Sequence, residues 1–253
     1  MNIIPLLFFG LAPSVIWLLF YLRKDVHPES NQMILKVFLY GMAAAIPAAL
    51  IELGIAEELN QLNFSSFLIP LVYIFIGIAL VEEILKYLVV KGKVERSSEL
   101  DEPLDIMLYM IISALGFAAL ENILVLLPLS SPFLFFETLS ISIIRFIGAT
   151  FLHALCSGAF GFFLALSFLQ PKKRTKLFLV GIIVAVFLHG LYNFSIMKIE
   201  TGLVVGKGLG AISNLENLVF YLFVIICILL GLAIFVSWGF KKLKKLKSIC
   251  QLN

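Results

Sequence analysis

Seven stretches of about twenty almost wholly apolar residues recur along this 253-residue chain, at 3–22, 33–55, 67–90, 105–127, 147–169, 176–197 and 216–238. Twenty residues rising about 1.5 Å each cover the roughly 30 Å hydrocarbon core of a bilayer. Backbone in lipid must also satisfy its own hydrogen bonds, so each stretch is expected to be a spanning helix. A soluble fold is excluded by bulk, because 61% of the residues are hydrophobic and only 14% charged, too little to coat one apolar core. With no Pro/Ser/Gly-rich linker between the runs, the expected fold is all-α: a polytopic bundle forming one membrane domain over residues 1–253. The first run has no basic segment ahead of it and is long enough to span, so it is expected to remain as the first helix.

The basic residues sort by loop. Arg23 and Lys24, then Lys91, Lys93 and Arg96, then Lys172, Lys173, Arg174 and Lys176, and finally Lys241, Lys242, Lys244, Lys245 and Lys247 fall on one set of connections. The alternate set holds Lys198 and Lys207. Positive charge favours the cytoplasmic side, which predicts the N-terminus outside and the C-terminus inside. The KKLKKLK tail reads as a stop signal attracted to anionic lipid. Residues 131–150 read either as a short interfacial helix or as an extension of the fifth span. Gly202–Gly210 lacks the spacing and the Ser/Thr of a phosphate loop, so nucleotide is not an expected ligand, and nothing points to nucleic acid. Cys156, Cys227 and Cys250 show no CxxC spacing and imply neither a disulfide framework nor a zinc ribbon.

Ionisable side chains at the bilayer centre cost about 2.5–3.5 kcal/mol each on insertion scales, so those inside the spans must face one another or a wet cavity. They are Glu82, Glu83 and Lys86 in the third span, Glu121 in the fourth beside Asn122, His153 in the fifth, and His189 with Asn193 in the sixth. Glu82 and Lys86 are four apart and share a helix face, as do His189 and Asn193. Counted along the helices, Glu82 lies about 13 Å above the inner edge and His153 about 9 Å below the outer edge, so the cavity is expected to open outward. Glu57 and Glu58, at the end of the second span, read as solvated.

EEILK (Glu82 to Lys86), PLD (Pro103 to Asp105), GFAALEN (Gly116 to Asn122), Arg145 ahead of the His153 helix, and HGLYN (His189 to Asn193) together resemble the ordered motifs of the PrsW family of intramembrane proteases. The resemblance spans about residues 71–197. It implies a protease that makes the first cut in membrane-anchored anti-sigma factors on the extracytoplasmic side. The family is similar to the CAAX-processing and bacteriocin-processing glutamate peptidases. Phe117 to Glu121 reads FxxxE, with a glutamate where those relatives carry histidine. Asp105, Phe117, Asn122 and Arg145 enter as supporting residues on this resemblance.

Peptide hydrolysis requires a base for water, donors for the oxyanion and an acid for the leaving amine. Glu82 is expected to be the base, kept ionised by Lys86 one turn away. Glu83 or Glu121 would position the water and His153, with a histidine as the proton donor, while His189 and Asn193 suit an oxyanion hole. Glu82, Glu121, His153 and His189 also make a nitrogen and oxygen ligand set for zinc, which would lower the pKa of a bound water. Against an ion stand the lack of an HExxH helix and the charge of Lys86, and the sequence leaves metal-free and zinc-dependent sites both open. The competing classes are a proton-coupled transporter, for which the two halves show no repeat, and a non-catalytic binding protein. The expected partners are the bilayer and single-span membrane substrates, and the expected location is the cell membrane.

Overall fold

The computed structural model describes residues 3–25, 27–62, 68–94, 100–129, 135–205 and 211–246. Among these every regular element is helical. The first two helices are α1 (Ile3–Leu22) and α2 (Asn31–Gln61). Next comes one rod, Leu68–Lys93, built from α3 (Leu68–Val72), a π-helical stretch Tyr73–Leu80, and α4 (Val81–Lys93). The chain then forms α5 (Pro103–Leu126), α6 (Phe135–Ile147), α7 (Ala149–Leu169), α8 (Arg174–Val205) and α9 (Ala211–Leu243). Six rods are long and apolar enough to cross a membrane, and α1, apolar over Leu6–Leu22, is a shorter seventh. The chain is a multi-pass helical bundle, as the apolar runs predict.

The helices overrun the apolar runs at several ends. α2 continues to Gln61 and carries Glu57 and Glu58 out of the apolar zone, where both are exposed. Residues 206–210 with Lys207, Arg96, the aromatic Phe133, and the tail beyond 246 with Lys247 and Cys250 lie outside the described residues.

The interior is apolar, and unlike that of a soluble protein so is much of the outer surface. α5 is buried on all sides from Pro103 to Ala119, packed against α1, α2, α4 and α7. The outer helices present large apolar side chains outward, among them Leu50, Leu53, Ile183, Phe223 and Ile234, where lipid tails replace water. The α2–α5 contact depends on paired glycines. A Cβ on Gly41 would run into the carbonyl of Ser113, and one on Gly116 into the carbonyl of Phe38, so the two backbones touch directly. Small residues permit this approach, which replaces the hydrophobic drive absent in lipid.

Two local breaks shape the site. The π-helical stretch, a rare wide-turned geometry often found at functional positions, ends at Leu80, two residues before Glu82. It packs against α8, where the Phe75 ring occupies the notch left by Gly190, next to His189. The second break, at Gly148 (φ −95°, ψ −94°), separates α6 from α7. α7 alone, 21 residues, spans about 31 Å. α6 is therefore a separate helix rather than a straight extension of the span. It turns Thr138 and Ser142 inward and Ile143, Ile144 and Ile147 outward, the reverse of a helix lying in water. α1 holds it: Ser142 donates to the carbonyl of Phe9 at 2.8 Å, and Trp17 Nε1 donates to the carbonyl of Phe146 at 2.9 Å.

Candidate active site

The first turn and a half of α4 carries Glu82, Glu83 and Lys86 into the bundle, where all three are buried. Lys86 lies three and four residues after the glutamates, so its stem folds back over both carboxylates. Its ammonium donates to Glu83 Oε1 at 2.8 Å, to Glu82 Oε2 at 3.0 Å and to His153 Nδ1 at 2.8 Å. A lysine has three N–H donors and all three are used. The ring of Phe117 covers the same ammonium at 4.6 Å. A buried charge is tolerated only when paired and hydrogen-bonded in this way.

Each histidine is held by its own carboxylate. Lys86 can only donate, so Nδ1 of His153 carries the lone pair and Nε2 carries the hydrogen, which Glu121 Oε2 accepts at 2.7 Å. Nδ1 of His189 donates to Glu83 Oε1 at 3.1 Å. The remaining nitrogens turn toward Glu82, with His153 Nδ1 3.6 Å and His189 Nε2 3.8 Å from its Oε2. The two rings stand edge to face, 5.1 Å between centroids. Behind the dyads is a supporting shell. Arg145 Nη2 pairs with Glu121 Oε1 at 2.9 Å, and its Nε donates to Asn122 Oδ1. Asn122 in turn donates to Thr150 and to the carbonyl of Gly10. Ser157 donates to Glu83 Oε2 at 2.7 Å.

Glu82, Glu121, Arg145, His153, His189 and Asn193 line one cleft of about 540 Å³. It runs from the cluster toward the ends of α2, α5 and α8, on the side of the bundle where the loops are poor in lysine and arginine. The cost of intramembrane charge leads to the expectation that the polar residues of four spans face one another or a wet cavity, and the structure places Glu82, Glu121, His153, His189 and Asn193 on this one.

One supporting residue is not brought to it. Asp105 lies at the opposite end of α5, about 24 Å along the helix from Glu121. There it completes a capping box, accepting from the backbone N–H groups of Glu102 at 2.6 Å and Asp101 at 3.1 Å. Its role is to start the helix. Glu83 is also relocated: it grips His189 rather than facing the cleft, and it is absent from the cleft lining.

Several site residues escaped the sequence reading. Glu52, a lone carboxylate within the second apolar run, lines the cleft near Glu82 and Glu121. Its position inside a spanning run was the available signal. Tyr192 lines the cleft one residue before Asn193, and Ser157 sits one turn beyond His153. Neither carries a charge, so nothing in composition singles it out.

Glu82, His153 and His189 each offer one atom to a group within 4.8 Å of one another that could hold a metal ion. Glu121 is not in that group because it holds the far nitrogen of His153. By chemistry the three suit zinc, and a carboxylate behind each histidine is the usual outer support of a metal ligand. Two of the three, however, already accept hydrogen bonds from Lys86 through the atoms that face the group, Glu82 Oε2 and His153 Nδ1. A divalent ion on those lone pairs would lie against the ammonium. The residues therefore do not accommodate a metal alongside Lys86 in its present position.

A sequence model described as PrsW family intramembrane metalloprotease matches residues 29–232. Among curated relatives, Protease PrsW of Geobacillus kaustophilus is 32% identical over 192 residues, covering 76% of this chain and 79% of the relative. Protease PrsW of Bacillus subtilis is 27% identical over 243 residues, covering 95% and 94%. Protease PrsW of Oceanobacillus iheyensis is 28% identical over 185 residues, covering 73% and 80%. No solved structure matches the chain.

Proposed function

Since the chain belongs to the PrsW family of intramembrane metalloproteases and is a membrane-embedded peptide hydrolase, we propose that it cuts single-span membrane proteins of the anti-sigma-factor kind with water activated by Glu82. The observation that carries this reading is the position of Glu82 Oε2, which faces a ring nitrogen of each histidine inside the cleft. Each ring is oriented from behind by a second carboxylate, an arrangement in which a water touching Glu82 is met by polar atoms on several sides.

The steps use this chain's own residues. A substrate segment enters the cleft from the outer half of the membrane and presents its scissile carbonyl between Glu82 and Asn193. Glu82 takes a proton from water as the oxygen attacks the carbonyl carbon. The Asn193 amide, one turn beyond His189 on the same face, donates to the oxygen that becomes negative, and this contact strengthens only as that charge develops. The proton on Glu82 then passes to the leaving nitrogen, directly or by way of His189, whose Nε2 faces Glu82 Oε2, the C–N bond breaks, and Glu82 is restored. Three carboxylates, Glu82, Glu83 and Glu121, face two fixed cations, Lys86 and Arg145.

Glu121 and Glu83 fix the tautomer and direction of His153 and His189, as the buried acid of a catalytic triad fixes its histidine. The family's description names metal chemistry, but the Lys86 ammonium already lies on Glu82 Oε2 and His153 Nδ1, and the proton transfers above belong to the side chains themselves. The reading is tested with purified protein and a panel of single-span membrane proteins in liposomes. Cleavage by wild type and none by Glu82→Gln is expected, whereas proton flux without cleavage would make the protein a transporter.

A further inference from the structure

We infer that Lys86 is the resident cation of the active site: its ammonium fills the place a divalent metal would take, and the chain holds no stoichiometric metal while Lys86 is present. The inference rests on the active-site reading above and deepens it, replacing the metal that the family description implies with a covalently tethered charge.

Three observations carry it. The ammonium has the surroundings of a bound ion, with three acceptors at 2.8–3.0 Å and an aromatic face at 4.6 Å, all buried. Two of its acceptors, Glu82 Oε2 and His153 Nδ1, belong to residues of the only group of three metal-ligating side chains found among the described residues. Finally, the position is fixed by the fold. The backbone carbonyl of Lys86 accepts from Ser113 on α5 at 3.0 Å, and its stem rises from the helix that carries both glutamates. Ligand distances for zinc are about 2.0–2.2 Å, so an ion on these lone pairs would contact the ammonium and could enter only by expelling it. Expulsion would strip all three hydrogen bonds from a buried lysine. The sequence EEILK thus encodes two carboxylates together with their counter-ion.

A latent metal site follows. With a neutral side chain at position 86, Glu82, His153 and His189 keep their mutual positions and lose the competing charge. The test measures bound metal directly, without substrate, on protein purified in detergent, loaded with zinc or cobalt and dialysed. Wild type and Lys86→Arg are expected to retain less than about one tenth of an equivalent, and Lys86→Met about one equivalent. Zinc should raise the melting temperature of Lys86→Met alone, and cobalt should give it the visible absorption of a tetrahedral site. The double variant Lys86→Met/His189→Ala should return to the wild-type level.

About one zinc in wild type, lost in His189→Ala, overturns the inference. So does a folded Lys86→Met that takes up no metal, or uptake that persists in the double variant. Should Lys86→Met fail to fold, wild-type occupancy alone decides between these outcomes. The active-site reading fails separately, by cleavage surviving in Glu82→Gln whatever the metal content.

Discussion

Glu121 and His153 meet across 2.7 Å between helices α5 and α7, and the hydrogen in that bond belongs to Nε2 because Lys86 occupies the other ring nitrogen. The pair therefore has one permitted tautomer.

Exchanging that carboxylate for an amide tests the point. A glutamine at 121 can donate as well as accept, which allows the ring to reverse its tautomer and set an N–H against the Lys86 ammonium. Glu121→Gln is expected to lower kcat by about 10²-fold or more with KM changed only a few-fold. Steady-state kinetics on one peptide in micelles separates the two constants. A loss confined to KM would mean that Glu121 binds substrate rather than orienting His153.

Gly148 marks the break that lets α6 carry Arg145 to Glu121. An added Cβ would collide with the hydroxyl of Tyr192 and lie 3.0 Å from the carbonyl of Ile144. Gly148→Ala should destabilise the protein by about 1–3 kcal/mol, as overpacking does, measured as a lower thermal midpoint in detergent. Because Tyr192 lines the cleft, cleavage should fall as well. An unchanged midpoint would show that α6 shifts freely to admit the methyl group.

Glu52 lines the cleft together with Glu82 and Glu121. If it contacts substrate rather than the reacting atoms, Glu52→Gln should leave kcat within about 3-fold and change KM by more than that. A collapse of kcat with KM intact would move Glu52 into the proton-transfer chemistry.

The proposed outer opening of the cleft depends on orientation, which the uneven distribution of Lys and Arg among the loops predicts. A cysteine replacing Lys245 should react with an impermeant maleimide only after the cytoplasmic face is exposed, and one replacing Thr201 should react on intact cells. The opposite pattern would place the mouth of the cleft in the cytoplasm and exclude an extracytoplasmic first cut.

What could be read in advance followed from spacing within single helices. Runs of twenty apolar residues fixed the spans, and intervals of three and four placed Glu82 with Lys86 and His189 with Asn193 on shared faces. Partners across helices were beyond that logic. Nothing in the local sequence says that Glu83 grips His189 while Glu121 grips His153, because that depends on how α4, α5, α7 and α8 are rotated. The π-helical turn before Glu82 sets one of those rotations and carries no proline to announce it. Asp105 was grouped with the site through its motif, although a Pro two residues earlier and an acidic N3 position already described a helix start. Glu52 went unremarked because a single carboxylate in an apolar run has no spacing partner.

The central claim is that Glu82 is the base. Glu82→Gln preserves side-chain volume and can still accept a hydrogen bond from Lys86, but it cannot take a proton from water. Single-turnover cleavage of one membrane-anchored substrate by matched amounts of wild-type and Glu82→Gln protein isolates that difference. The account predicts a rate lower by at least about 10²- to 10⁴-fold with substrate binding retained. A Glu82→Gln rate within a few-fold of wild type would contradict it and shift the search for the base to Glu121 or Glu83.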